Sequence, residues 1–424
     1  MPSQLPEMGR AAEPDPLAAM RGRAHAVFAS FLGWTLDSFD FFVVVFLVDI
    51  LATQFAVSKT AIVATLTLTL AMRPLGALLF GLLADRYGRR RPFMACVFYY
   101  SLIELACGFA PSYHVLLVLR GLYGIGMGGM WGVSASLAME TTSQRRRGMM
   151  SGVLQSGYSI GYLLAAIAAR FILPAWGWRA MFWAGAAPAL LIAYIELKVP
   201  ESEAWRQHKK SSFSGILRTV AADWKMAVYL VALMTLMSCL SHGTQDLYPD
   251  FLKSEHHIPA GTVTLIAMFY NIGAIWGGIG IGHLSQLIGR RRAMLVAIAI
   301  SLAVMPFWAF GGSLLILAFG AFFMQVGVQG AWGVIPAHLN ELAPDAARGL
   351  LPGLAYQLGI LMASPTNNIE YALRDHLGYG WAMAAFEITA MGVVALLIAL
   401  GRERHAKNFF RVPDAEAAAL SLHH

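Results

Sequence analysis

Apolar stretches of about 20 residues or more, the length an α-helix needs to cross a hydrocarbon core of about 30 Å, follow one another from residue 25 to residue 402 almost without interruption. Charged clusters, glycines and prolines divide the run into twelve spans: 25–52, 60–86, 92–110, 113–140, 147–172, 179–198, 225–252, 259–288, 293–311, 314–342, 349–372 and 379–402. One water-soluble core cannot hold that much apolar surface, since 58% of the 424 residues are apolar and 13% charged, with a mean hydropathy of +0.59. The expected fold class is an all-α membrane protein with the lipid bilayer as its solvent, each helix satisfying its own backbone hydrogen bonds.

The spans fall into two related halves. GLLADRYGRRR, Gly81 to Arg91, recurs as GHLSQLIGRRR, Gly282 to Arg292, 201 residues later. Gly81 meets Gly282, Gly88 meets Gly289 and Arg89 meets Arg290; the same shift carries Glu140 onto Glu341 and Arg147 onto Arg348. Two matches at one offset imply a duplication. The halves are expected at 25–198 and 225–402, joined by a polar loop, 199–224, and flanked by tails 1–24 and 403–424. Asp85 can accept hydrogen bonds from the start of a neighbouring helix or pair with Arg145, Arg146 or Arg147, while Arg89 to Arg91 can meet Glu140. Gly81, Asp85, Gly88, Arg89, Glu140, Arg147, Gly289, Arg290, Glu341 and Arg348 thus form a candidate conformational latch. Gln286 replaces Asp85 in the second copy, so the latch is expected to be stronger in the first half.

Alternating loops place 24 of the 31 Lys and Arg on one side of the membrane, which is expected to be cytoplasmic and to hold both termini. The net charge of +7 then faces anionic lipid, and no nucleic-acid partner is expected. Residues 1–24 lack an apolar signal-peptide core, so the first span is expected to serve as the insertion signal. Cys96, Cys107 and Cys239 lie inside spans at no metal-ligand spacing. The glycine run Gly121 to Gly129 follows no strand and lies within hydrocarbon, which excludes a nucleotide loop, and no Walker motif occurs. No cofactor, metal or enzyme chemistry is expected, and the energy source is an ion or substrate gradient.

An ionisable residue at the bilayer centre costs about 2.5–3.5 kcal/mol on insertion scales, so each one there is a functional candidate. Asp37 and Asp40 share roughly one face of span one, and Arg73 is the midpoint of span two. Ser241, His242, Gln245 and Asp246 lie within two turns of span seven. Asn271, Tyr158, Gln155, Gln325 and Gln329 occupy the middles of spans eight, five and ten, and Arg120 on span four is within reach of Glu104 on span three.

Twelve spans in two homologous halves, the Gly-x-x-x-Asp-Arg-x-Gly-Arg-Arg loop after span two, its copy after span eight and a long central loop together resemble the major facilitator superfamily. The resemblance implies two six-helix bundles rocking about a central site, each built of two inverted three-helix repeats. It also ties Arg120 to proton coupling. The run Ser241 to Asp246 followed by Pro249 is similar to the signature of Jen-type lactate and pyruvate permeases, which belong with the sialate–proton symporters. Ser238 and Asp250 stand where that signature has Asn and often Thr. Arg73-Pro-Leu-Gly76 and Pro352 to Gly359 match the same permeases, and the resemblance places Arg73, His242, Asp246 and Gln357 along the substrate path. The pair Asp37-x-x-Asp40 looks like that of aromatic acid–proton symporters.

The expected protein is a proton-coupled secondary transporter of a small organic anion, a monocarboxylate such as lactate or pyruvate, working as a monomer in a bacterial inner membrane. Sialate or an aromatic acid is the alternative cargo, and a non-transporting sensor the alternative class. Substrate is assigned to Arg73, His242, Gln245, Asn271, Gln357 and Tyr158. Proton coupling is assigned to Asp40 as carrier beside Arg73, with Asp37, Asp246, Glu104 and Arg120.

Overall fold

A computed structural model describes residues 16–207 and 211–410; residues 1–15 and 411–424 of the expected tails lie outside the described part. The chain runs through α1 (Pro16–Gln54), α2 (Lys59–Tyr87), α3 (Arg90–Cys107), α4 (Tyr113–Thr141), α5 (Arg147–Ala184), α6 (Ala189–Lys198), α7 (Glu203–Gln207) and α8 (Phe213–Ala222). It continues through α9 (Trp224–Gln245), α10 (Tyr248–Ser254), α11 (Ala260–Ile288), α12 (Arg290–Phe310), α13 (Leu314–Leu342), α14 (Leu351–Met362), α15 (Thr366–Leu377) and α16 (Tyr379–Leu400). Among the described residues eight helical segments are long and apolar enough to cross a membrane. The remaining spans carry ionisable residues, in α1 and α3, or are interrupted. The protein is an integral multi-pass membrane protein.

Three spans expected to be continuous are broken, each beside a proline. Span six parts at Gly185–Pro188 between α5 and α6, span seven at Asp246–Leu247 just before Pro249, and span eleven at Ala363–Pro365. Proline offers no N–H to the preceding turn, so the ladder stops there. α5 also bends at Gly177, whose φ of 76° only glycine adopts without strain, and this separates spans five and six. The central loop, expected as a plain connection, contains α7 and the amphipathic α8. Ser112 and Ser313, 201 residues apart, each cap the next helix by accepting from the third N–H along, at 3.4 and 3.3 Å.

Within the first half α1 packs on α5, and α2 and α3 on α4; within the second, α11 and α12 pack on α13, and α14 and α16 on α9. The halves meet where α5 lies against α11 and α13 and where α14 lies against α2 and α4. Glycines set these distances. A Cβ on Gly124 or Gly128 would collide with the α2 backbone at Thr69 or Arg73, and one on Gly277 with Val326. Across the interface a Cβ on Gly152 would strike the Gly278 carbonyl, and one on Gly132 would stand 2.7 Å from Gly353 Cα.

Candidate functional site

A small, partly open cavity lies between the halves. The first half lines it with Phe41, Leu70, Arg73, Met127, Gln155 and Tyr158, and the second with Ser238, Ser241, His242, Gln329, Trp332, Tyr356 and Ile360. Arg73 is 4% exposed, and its Nε and Nη2 have no hydrogen-bond partner among the described residues. It stands 6.0 Å from the centre of the Tyr356 ring. That ring is caged: Trp131 stacks on it at 4.2 Å, and Trp332 and Trp34 meet it edge-on at 5.6 and 6.1 Å. Trp131 and Trp332 are 201 residues apart, so the offset that exposed the latch also marks the two walls of this cage.

The second half presents a hydrogen-bonded polar strip. His242 Nδ1 lies 3.0 Å from Asp246 Oδ2, which also accepts from Asn367 at 3.1 Å, and Gln329 donates to Ser241 Oγ at 3.0 Å. The His242 and Asp246 side chains are 34% and 38% exposed, so solvent reaches the strip.

Arg73, Tyr158 and His242 therefore converge on the cavity, whereas Gln245, Asn271 and Gln357 stand off its lining. Gln245 donates to Gln325 at 2.6 Å, Asn271 to its own helix at Ala267 O at 2.9 Å, and Gln357 across the interface to Gly128 O at 3.2 Å. Each amide is engaged within the helix packing, Asn271 and Gln357 by backbone carbonyls and Gln245 by the Gln325 side chain, because a buried amide takes the nearest polar partner.

The acids of the first half lie in one cluster. Asp37 is the one surrounded by Arg73, Glu104 and Arg120, whereas the charged groups around Asp40 are Glu104, Asp37 and Arg120. Three residues along a helix set the side chains about 60° apart, so the two acids share Glu104 and Arg120 as neighbours while Arg73 acts on Asp37. Glu104 Oε2 accepts from Arg120 Nη1 at 2.7 Å, and the Arg120 guanidinium lies 4.1 Å over the Tyr123 ring. Both residues are fully buried. Gly185, at the break in span six, leaves room for this cluster, since a Cβ there would press on Asp40 and Glu104.

At the basic face the latch residues meet in a two-fold pattern. Asp85 accepts from the Gly349 and Leu350 N–H groups at 2.7 and 2.9 Å, where the chain enters α14, and from Arg89 at 2.7 Å. Arg145, Arg146 and Arg147 are not its partners. Arg89 donates to both oxygens of Glu140, at 3.1 and 2.8 Å, and Arg348 reaches Glu140 from the other half at 3.3 Å. In the second copy Arg290 donates to both oxygens of Glu341 at 2.9 Å, Arg147 crosses to Glu341 at 3.1 Å, and Gln286 accepts from Gly148 N–H at 3.1 Å. Gly88 and Gly289, with φ of 104° and 97°, turn the chain so that Glu201 and Glu403 cap the following helices. Lys407 O then accepts from Arg147 at 2.8 Å, and the buried Phe409 ring is held between the Arg147 and Arg348 guanidiniums, at 3.8 and 4.0 Å. The halves are sealed on this face.

Two helical halves closing one end of a shared cavity, largely apolar with a few polar groups, define a membrane transporter rather than an enzyme. The Major Facilitator Superfamily profile matches residues 26–248 and the Sugar (and other) transporter profile residues 222–401; the chain belongs to the major facilitator superfamily. It is 30% identical to a carboxylic acid transporter protein homolog of Saccharomyces cerevisiae, over 82% of this chain and 61% of that longer relative. It is 29% identical to the sialic acid transporter NanX of Escherichia coli, over 89% of this chain and 93% of the relative. Among solved structures the proton:xylose symporter XylE superposes with a TM-score of 0.73 at 18% identity, covering 92% of this chain and 98% of that one, a likeness of fold.

Proposed function

We propose that this transporter moves a small organic anion together with a proton, the cargo being a monocarboxylate such as lactate or pyruvate. The working units are residues 25–198 and 225–402, the chain acts as a monomer, and the basic face with both termini is cytoplasmic in a bacterial inner membrane. The open side of the cavity is then the outer one. One observation carries the reading: Arg73 is a buried guanidinium with unpartnered donors on the wall of a cavity between the halves. A planar guanidinium takes a carboxylate through two parallel hydrogen bonds, and a carboxylate at Arg73 with its tail toward Tyr158 and His242 touches both halves, which favours their closure. The relatives named for carboxylic and sialic acid support an acid as cargo.

The proton enters through linkage. Asp37 faces Arg73, so an anion that neutralises the arginine weakens the attraction holding Asp37 ionised, and a proton passes to the Asp37, Asp40 and Glu104 group beside Arg120. Purified protein in vesicles should accumulate labelled lactate when the side facing the cavity is made acidic. Arg73→Lys keeps the charge but not the planar fork and should lose most of that uptake; wild-type uptake by Arg73→Lys removes the arginine from the site. The rings of Phe41, Tyr158, Trp332 and Tyr356 favour a second cargo, a flat aromatic acid. Stronger competition by benzoate than by pyruvate would select it.

A further inference from the structure

Glu370 and Glu387 take no part in the mechanism above, yet they are 1% and 0% exposed. Glu370 is on α15, past the break in span eleven, and Glu387 on α16. Their side chains converge on one point of α9: a Cβ built on Gly243 would collide with Glu387 Oε1 and stand 3.1 Å from Glu370 Oε1. Glycine at 243 makes the room that both carboxyl groups occupy. None of their four oxygens has a hydrogen-bond partner among the described residues, and no described cation pairs with either. The titratable groups that reach them are Cys239 and Asp246, both on α9, with His242 next to Gly243 along the same helix. Two neighbouring carboxylates with a third nearby and no cation cannot all be ionised in a buried site, so at least one of the pair must carry a proton.

We propose that Glu370 and Glu387 form a second proton-binding site, separate from the Asp37, Asp40, Glu104 and Arg120 cluster and carried by the second half. A polar path joins it to the cavity: His242 lines the cavity, lies against Asp246, and Asp246 accepts from Asn367, one turn before Glu370 on α15. The breaks at Asp246–Leu247 and Ala363–Pro365 flank the pair, so a swing of α10 or α15 exposes or buries it as the halves rock. The site gains a proton from water on one side and gives it to water on the other, with no bond broken beyond O–H.

The inference rests on the proton-coupled reading, and two measurements separate their failures. Infrared spectroscopy of the purified protein without substrate should show the carbonyl stretch of a buried protonated carboxyl that disappears in Glu387→Gln and in Glu370→Gln and persists in Asp40→Asn. An unchanged band in both glutamine variants overturns the site, whether or not the protein transports. In vesicles with the membrane potential clamped at zero, two protons per anion give about 100-fold accumulation for one pH unit and one proton about 10-fold. Wild type should reach the higher ratio and Glu387→Gln only the lower. Equal ratios overturn carriage by this pair, while no accumulation by wild type sinks the symport reading and leaves the infrared result to decide the site.

Discussion

Asp85→Asn should open the basic face. The Asp85 carboxylate receives three hydrogen bonds, and two of them, from Gly349 and Leu350, cross from one half to the other. Those two must break whenever the face parts, while the bond from Arg89 is internal to the first half. A hydrogen bond to a charged acceptor is worth about 1.5–3 kcal/mol net and a neutral one about 0.5–1.5. With asparagine a single neutral oxygen remains, and its amide hydrogens confront the second backbone N–H. The closed arrangement therefore loses roughly 2–4 kcal/mol relative to the open one, a shift of roughly 30- to 700-fold in their ratio. Gln286→Ala removes one neutral acceptor at the related position, worth about 1 kcal/mol and about fivefold. Spin labels at Ser143 and Ala346, with Cys96, Cys107 and Cys239 replaced, read the separation of the two rims by pulsed dipolar spectroscopy in nanodiscs. A long-distance population dominant in Asp85→Asn and slight in Gln286→Ala is expected. Indistinguishable distributions for wild type and Asp85→Asn, or equal shifts in the two variants, would refute the assignment of the seal to Asp85.

The same labels should report a long distance in Gly152→Leu, because a side chain there meets the Gly278 carbonyl and only separation of α5 from α11 relieves the clash; a closed distribution would show that the glycine contact is not what sets the seal. Glu104→Gln leaves the Arg120 guanidinium buried without its carboxylate, which costs about 3–5 kcal/mol, so the apparent melting temperature in detergent should fall by several degrees, and an unchanged melting curve would mean that the pair is not held in the folded protein.

Much of the fold could be read from the chain because membrane spans and a duplication leave periodic, local marks. The offset of 201 residues that aligned Arg89 with Arg290 also aligned Arg147 with Arg348, the two arginines that cross to Glu341 and Glu140 of the opposite half. It holds for Trp131 and Trp332 too, which went unread because tryptophans in an apolar span carry no polar signal. Glu201 and Glu403 are 202 residues apart and lie outside the spans, so neither the shift nor the hydropathy marked them as matching caps. At the site, depth in the membrane was legible and azimuth was not. Asp37 and Asp40 share a level, but only the rotation of α1 decides which one sees Arg73. The resemblance puts Gln357 on the substrate path, and the close approach of α14 to α4 engages its amide with Gly128 O. Glu387 escaped notice because it falls in the last span, far along the chain from the other acids, and its partner and the glycine beneath it come from two other helices.

The sharing of Glu140 and Glu341 also governs what the mouth on the basic face looks like once it opens. Each glutamate keeps the arginine of its own half, Arg89 or Arg290, bound through both oxygens, so Arg147 loses its carboxylate and Arg348 keeps only Asp345 of its own half. Withdrawal of Phe409 from between them bares the same two guanidiniums. The opened doorway is thus rimmed by positive charge that the closed protein conceals. An anion leaving or entering there passes through an attractive field, strong at low ionic strength and weakened within a Debye length of about 8 Å at 0.15 M salt, whereas the other mouth has no such ring among the described residues. With two doors of unequal charge, the salt content of the compartment on the basic side acts on the rate of anion passage there.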